Sequence, residues 1–200
     1  MARARAADFE EKQLHLLVNA AAVFAELGME KASMSQIAAR SKVSKALLYH
    51  YYPSKSALIF DIIRSHLEEL DQALQAVADE AQNDLPEQRL RKLVRQILEC
   101  YRDADDKHIV QLNCRGLLGE EETNEINELE RRIVMRIANT LHDINPEINN
   151  KRPLLKPVTM SLFGMLNWVY MWFKPNGPIT REEYADVATT LVLEGLKNIH

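Results

Sequence analysis

Between residues 33 and 55 the chain reads SMSQIAARSKVSKALLYHYYPSK, a run crowded with hydroxyl, ring-donor and ammonium groups. Their spacing builds no nucleophile–base pair and no metal-ligand set. It suits an array of phosphate oxygens and base edges, where phosphate contacts position a protein and base-edge contacts give it sequence preference. Lys45 can donate to guanine O6 or N7, and Ala46 and Leu47 allow close approach and can touch a thymine methyl. Tyr49, His50 and Tyr51 offer further donors one turn on. Lys55 stands at the start of the next helix, where dipole and free amides favour an anion. The candidate DNA-binding set is therefore Ser33, Ser35, Ser44, Lys45, Ala46, Leu47, Tyr49, His50, Tyr51 and Lys55.

Two short helices joined by a tight turn must position these groups. Ser33 and Gln36 have the spacing of a capping box, in which hydroxyl and amide satisfy each other's backbone N–H groups. Ile37 and Ala38 begin an inner face, Val43 plugs the turn, and Ser44 is placed to cap a second helix that Pro53 stops. Leu48 and Tyr52 are expected to face inward, because a recognition helix must be anchored on its neighbours. Arg3 and Arg5 form a short basic stretch ahead of the first apolar run and are read as an arm or a frayed terminus.

This layout resembles the N-terminal domain of the TetR/AcrR family of transcriptional regulators over residues 11–63. The similarity rests on AAVFAELGMEKAS, then MSQIAARSKVSKALLYHYYPSKSALIFDII, with VSKALLYHYYPSK the most specific run. Two departures stand out: Ser41-Lys42 replaces the family's Ala-Gly in the turn, and Ala46-Leu47 its Gly-Thr in the recognition helix. A lysine in a left-handed turn is less favourable than glycine. The second departure leaves the preferred DNA sequence open.

Charge is divided along the chain. Residues 1–60 hold eight Lys or Arg and five acids, whereas 61–200 hold seventeen and twenty-four, giving +3 and −7 within a net charge of −4. A net-acidic chain with one basic region is expected to bind nucleic acid through that face, with salt sensitivity. The 200 residues, 46% hydrophobic with six Gly and seven Pro, carry long 3.6-period segments and no convincing alternating strand. They predict an all-α chain. The expected domains are an N-terminal three-helix helix-turn-helix DNA-binding domain, 1–55, and a C-terminal helical ligand-binding and dimerisation domain, 56–200.

Helices are predicted near 54–82, 87–103, 107–118, 121–142 and 154–173, with a last one starting at a second capping box, Thr180 to Glu183. The stretch VTMSLFGMLNWVYMWF is apolar all round, which predicts burial on more than one side. It is too short and too flanked by Lys and Asn to span a membrane. The polar leader MARARAADFEEKQ lacks an export-type apolar run, so a cytoplasmic protein is expected. Cys100 and Cys114 are read as reduced thiols, with a redox pair as the alternative. No phosphate loop, HExxH or Ser-His-Asp arrangement occurs and the six histidines are scattered, so no enzyme, metal or cofactor is expected.

The resemblance implies a homodimer, formed by the last two helices, whose recognition helices enter successive major grooves of a double-stranded, pseudo-palindromic operator. It also implies a small hydrophobic effector held in the second domain. The lining proposed for it is Leu98, Tyr101, Leu112, Met135, Met165, Trp168 and Trp172, with Arg102, His108, Asn113, Arg115 and Asn167 as polar anchors. An Arg and an amide within an apolar helix suit a carboxylate or thioester. The tail LFGMLNWVYMWFKPNGPITREEYADVATTLVLEGL is similar to regulators of fatty-acid, steroid or aromatic-acid catabolism, which implies an acyl-CoA effector and repression relieved by it. A multidrug-type sensor controlling an efflux gene is the main rival, and a helical adaptor without DNA binding a third reading.

Overall fold

The computed structural model describes the backbone of residues 2–114 and 116–199, with side chains from Phe9 onward. Among the described residues there are ten helices and no strand. They form two compact units: Met1–Glu68 with Asp103–Asn127, and Glu69–Arg102 with Glu128–His200. This division differs from a cut at residue 55. Helices α4 (Lys55–Glu80) and α7 (Glu120–Ile144) each begin in the first unit and continue into the second, and α6 (Asp105–Asn113) belongs to the first.

In the first unit α1 (Ala2–Leu27) is the organising helix. Leu16, Leu17, Ala20, Ala21 and Phe24 lie buried, with Ile37 from α2 (Met34–Arg40), Leu48 from α3 (Lys45–Tyr51), and Leu58, Ile59, Ile62 and Ile63 from α4. Gly28 ends α1 in the left-handed conformation, φ +80°, and its N–H donates to the Phe24 carbonyl at 2.9 Å, a helix stop that glycine makes without Cβ strain. The α1 helix already includes Arg3 and Arg5, so the expected arm ahead of it is helical backbone; those two side chains lie outside the described residues. α6 packs along α1 and buries Val110.

The first unit also buries two histidines. His66 on α4 and His108 on α6 are each 2% exposed, with ring centroids 6.1 Å apart in an edge-to-face arrangement. Burial, then the neighbouring His108 and Lys107, push the His66 pKa down to about 3. Its folded value lies below the ~6.5 of an unfolded histidine, so its neutral ring stabilises the fold fully above that pH and progressively less as pH falls toward the folded value. The protein is expected to be about 2 kcal/mol less stable at pH 5 than at pH 7 through this residue. Urea unfolding of His66→Leu should show a correspondingly shallower pH dependence; an unchanged slope would remove His66 as its source.

In the second unit α5 (Pro86–Cys100) opens on a proline at N1 and buries Leu90, Leu93, Val94, Ile97 and Leu98, an i, i+3, i+4 stripe. α10 (Arg181–Leu196) lies against α5, with Ala185 and Ala188 fully buried where small side chains allow close approach. Arg95 holds the pair from outside, donating through Nε and Nη2 to Asp186 at 3.2 and 2.8 Å. On α4, Asp71 accepts from Arg132 at 2.9 Å and Arg136 at 2.8 Å, both on α7. Burial opposes ionisation of this carboxyl, yet the two guanidinium groups hold its pKa below the usual range.

The single helix predicted over 154–173 is two: α8 (Leu155–Asn167) and α9 (Val169–Trp172), broken at Trp168. At the break the Tyr101 hydroxyl donates to Asn167 Oδ1 at 2.9 Å, a long-range constraint that the uniform hydropathy of the stretch does not carry. Met160, Trp168, Met171 and Trp172 are 48%, 57%, 57% and 44% exposed. No helix among the described residues is long and apolar enough to cross a membrane.

Candidate nucleic-acid interface and effector domain

Both caps predicted for the helix pair are formed. The Ser33 N–H donates to Gln36 Oε1 at 2.9 Å while the Gln36 N–H donates to Ser33 Oγ at 3.3 Å, and the Leu47 N–H donates to Ser44 Oγ at 3.1 Å. Between the helices Lys42 adopts φ 55°, the left-handed position that the missing glycine implied. His15 on α1 closes the turn by donating from Nε2 to the Ser41 carbonyl at 3.1 Å. Leu48 is wholly buried and Tyr52 is 5% exposed, as expected of the anchoring face. Ser33, Ser35, Ser44, Lys45, Ala46, Tyr49 and His50 are exposed, and Leu47 and Tyr51 partly so. α3 therefore presents its polar side to solvent on a rigid mount.

Lys55 is the exception. Its ammonium donates to the Met29 carbonyl at 2.7 Å and the Ala32 carbonyl at 3.2 Å, with the Glu30 carbonyl at 3.5 Å. It therefore ties the start of α4 to the α1–α2 connection, a structural role in place of the phosphate contact expected from its position. The helix terminus it begins is capped by Ser54, whose Oγ accepts from the Ala57 N–H at 3.0 Å.

A buried carboxylate fixes the far end of the recognition helix. Asp61 on α4 accepts the Tyr52 hydroxyl at 2.6 Å, Gln13 Nε2 at 2.9 Å and an Arg64 guanidinium N–H at 2.6 Å, joining α1, α3 and α4. Burial favours the neutral acid, but hydrogen bonds from Tyr52, Arg64 and Gln13 outweigh it and lower the Asp61 pKa. Burial, then this same carboxylate, raises the pKa of Tyr52. Neither Asp61 nor Gln13 is in the predicted set. The signal for Asp61 is a lone carboxylate inside the apolar run LIFDII, on the face that must be buried. A third residue outside that set, Phe9, stacks on Tyr51 with ring centroids 4.7 Å apart and planes 21° apart.

The residues proposed for the effector are divided between the two units. Leu98 is buried on α5, and Tyr101, just after it, is bonded to Asn167; Met165 is half-buried and its carbonyl accepts the Tyr184 hydroxyl at 3.1 Å. Arg102 lines a groove of about 410 Å³ with Val77, Lys92, Arg95, Glu99 and Arg181, and makes a two-point contact with Glu99. Met135, Trp168 and Trp172 are 50%, 57% and 44% exposed in the single chain. His108, Leu112 and Asn113 belong to α6 and hence to the first unit. His108 is buried beside His66, Leu112 is 40% exposed, and Asn113 Nδ2 donates to the Ile109 carbonyl at 2.8 Å. Arg115 lies outside the described residues. Cys100 and Cys114 are not joined in a disulfide, and burial raises the pKa of Cys100, which disfavours the reactive thiolate.

Residues 16–62 match the family described as bacterial regulatory proteins, tetR family, and residues 83–196 match the tetracyclin repressor-like C-terminal domain. A TetR-family transcriptional regulator from Bordetella parapertussis is 30% identical and superposes with a TM-score of 0.85 over 94% of this chain and 97% of its own. AibR, solved in complex with isovaleryl coenzyme A and operator DNA, is 27% identical with a TM-score of 0.77, covering 90% of this chain and 97% of its own. The HTH-type transcriptional repressor KstR2 of Mycobacterium tuberculosis is 23% identical over 183 residues, 90% of each chain. With an exposed recognition helix on a capped, buried mount and both family domains in order, the chain belongs to the TetR family of bacterial transcriptional regulators.

Proposed function

We propose that the protein is a homodimeric repressor that holds a pseudo-palindromic operator through α2 and α3 and releases it when an acyl-CoA, or a related hydrophobic acid, binds its C-terminal domain. The observation that carries the DNA half is the one-sided burial of α3: Leu48 is the buried residue of the helix, while Lys45, Ala46, Tyr49 and His50 face solvent. The likeness to AibR, crystallised with isovaleryl coenzyme A and operator DNA, supports the effector class. In this reading Ser44, Lys45, Ala46 and Leu47 approach base edges, and Ser33, Ser35, Tyr49, His50 and Tyr51 hold phosphates. The chain performs no catalysis and acts in the cytoplasm. Leu98, Tyr101, Met165 and Asn167 remain the effector contacts of choice in the second unit, with Arg102 for its charged end.

An exposed apolar face supports the dimer. Met160 and Gly164 on α8, with Trp168 just beyond, and Val187 and Leu191 on α10, all recur at four-residue spacing and are exposed. A Cβ added at Gly164 or Gly195 would meet nothing within 4 Å, which leaves room for a partner helix. By population-shift arithmetic, an effector preferring the off-DNA state by a few kcal/mol empties the operator. Titration of the protein–operator complex with isovaleryl-CoA and with longer and aromatic acyl-CoAs should release DNA at micromolar ligand and raise Tm. Retention of DNA across the whole panel, with no thermal shift, would exclude this effector class.

A further inference from the structure

We propose that Phe9 is a positioning residue for DNA recognition: its ring, stacked on Tyr51, presets the last side chain of the recognition helix in the orientation from which its hydroxyl meets a phosphate. The proposal rests on the reading of α3 as the DNA-contacting helix. Phe9 is 47% exposed, so it is not a core residue whose type burial explains. Its ring lies nearly parallel to that of Tyr51, 4.7 Å away, while His50 meets the opposite partner of that stack edge-on, with centroids 5.8 Å apart and planes at 89°. Phe9 also precedes the stretch 16–62 that matches the family's DNA-binding domain, so the stack is supplied by the N-terminal part of α1.

The end of α3 is held from two sides that do different things. Tyr52 caps the helix and is fixed through its hydroxyl to buried Asp61, which sets the backbone. Tyr51, one residue earlier, is only partly buried and depends on ring contacts for its side-chain direction. An aromatic stack prefers this offset, near-parallel geometry. A tyrosine already held in its binding rotamer loses less freedom when it meets DNA, which is how preorganisation raises affinity.

The test uses the full-length protein, a duplex enriched from a random pool by the unaltered protein, and an unrelated duplex of equal length. Phe9→Ala is expected to weaken binding to the enriched duplex about threefold to tenfold, the range for one side chain that must be ordered on binding. Phe9→Trp should restore affinity, Tm should be unchanged in both, and Phe9→Ala should add nothing in a Tyr51→Ala background. Additive losses in the double variant, full affinity in Phe9→Ala, or a loss that tracks a falling Tm and is not rescued by Trp would each overturn the proposal. Lys45→Ala separates it from the broader reading: a loss there with none in Tyr51→Ala removes Phe9 and leaves the recognition helix standing. Failure of the unaltered protein to enrich any duplex removes both.

Discussion

Leu191→Asp is expected to give a folded monomer that binds operator at least about 100-fold more weakly than the parent, because a single half-site contact is too small for specific affinity at physiological salt. Leu191 is 61% exposed and Val187, one turn before it, 50% exposed, on the helix whose opposite face buries Ala185, Ala188 and Leu196 against the unit's core. In the proposed dimer this exposed apolar patch is the interface, and a carboxylate at its centre would be left desolvated and unpaired. Since the Leu191 side chain is largely exposed in the single chain, circular dichroism should be unchanged. Gly164→Leu provides an independent check. A Cβ at Gly164 meets nothing within 4 Å in the protomer, and leucine favours helix over glycine, so the fold is expected to tolerate the change while a close-packed partner is pushed away. Sedimentation of both variants reads the outcome: monomers with lost operator binding are expected, and dimers with intact binding would place the interface elsewhere.

Asp61→Ala is expected to lower stability by about 3 kcal/mol, or roughly 6–12 °C in Tm for a chain of this size. The carboxylate is 7% exposed and is the shared acceptor for Tyr52, Gln13 and Arg64. Its removal strands the Tyr52 hydroxyl, which is buried, whereas Arg64, with its side chain 36% exposed and Glu68 at 3.8 Å, can turn outward. Tyr52→Phe should therefore recover part of the stability in the Asp61→Ala background. The pH dependence carries a sign of its own. The folded pKa of Asp61 is lowered, so its contribution is present above the unfolded value of ~3.9 and is lost as pH falls through the folded value. Asp61→Asn should consequently narrow its stability gap to the parent as pH drops below about 4. Calorimetry across pH reads both; equal Tm for Asp61→Ala and parent at pH 7 would show that the network holds nothing.

What was legible in the chain was local. Ser33-Gln36, Ser44 and Thr180-Glu183 act within one helical turn, so their types and spacing fix the caps without reference to the rest of the fold. The left-handed Lys42 and the inward Leu48 and Tyr52 followed from the same turn. What was not legible depended on long-range pairing. Lys55 has the sequence position of a phosphate ligand, yet the carbonyls it satisfies come from residues 29–32, more than twenty positions away. At the break, Tyr101 reaches Asn167 across 66 positions. His108, Leu112 and Asn113 have the composition of a ligand wall, but α6 packs along α1, an assignment that periodicity cannot make. Met135, Trp168 and Trp172 show the converse: their large apolar side chains predict burial, yet each is 44% exposed or more in the single chain.

The central claim, a sequence-specific dimeric regulator working through α3, is tested most directly by selecting bound duplexes from a random pool at moderate salt with the purified protein. The account expects one enriched inverted repeat, its half-sites about one or a small multiple of 34–36 Å apart, with enrichment abolished by Lys45→Ala. A folded, effector-free dimer that enriches no sequence would contradict it.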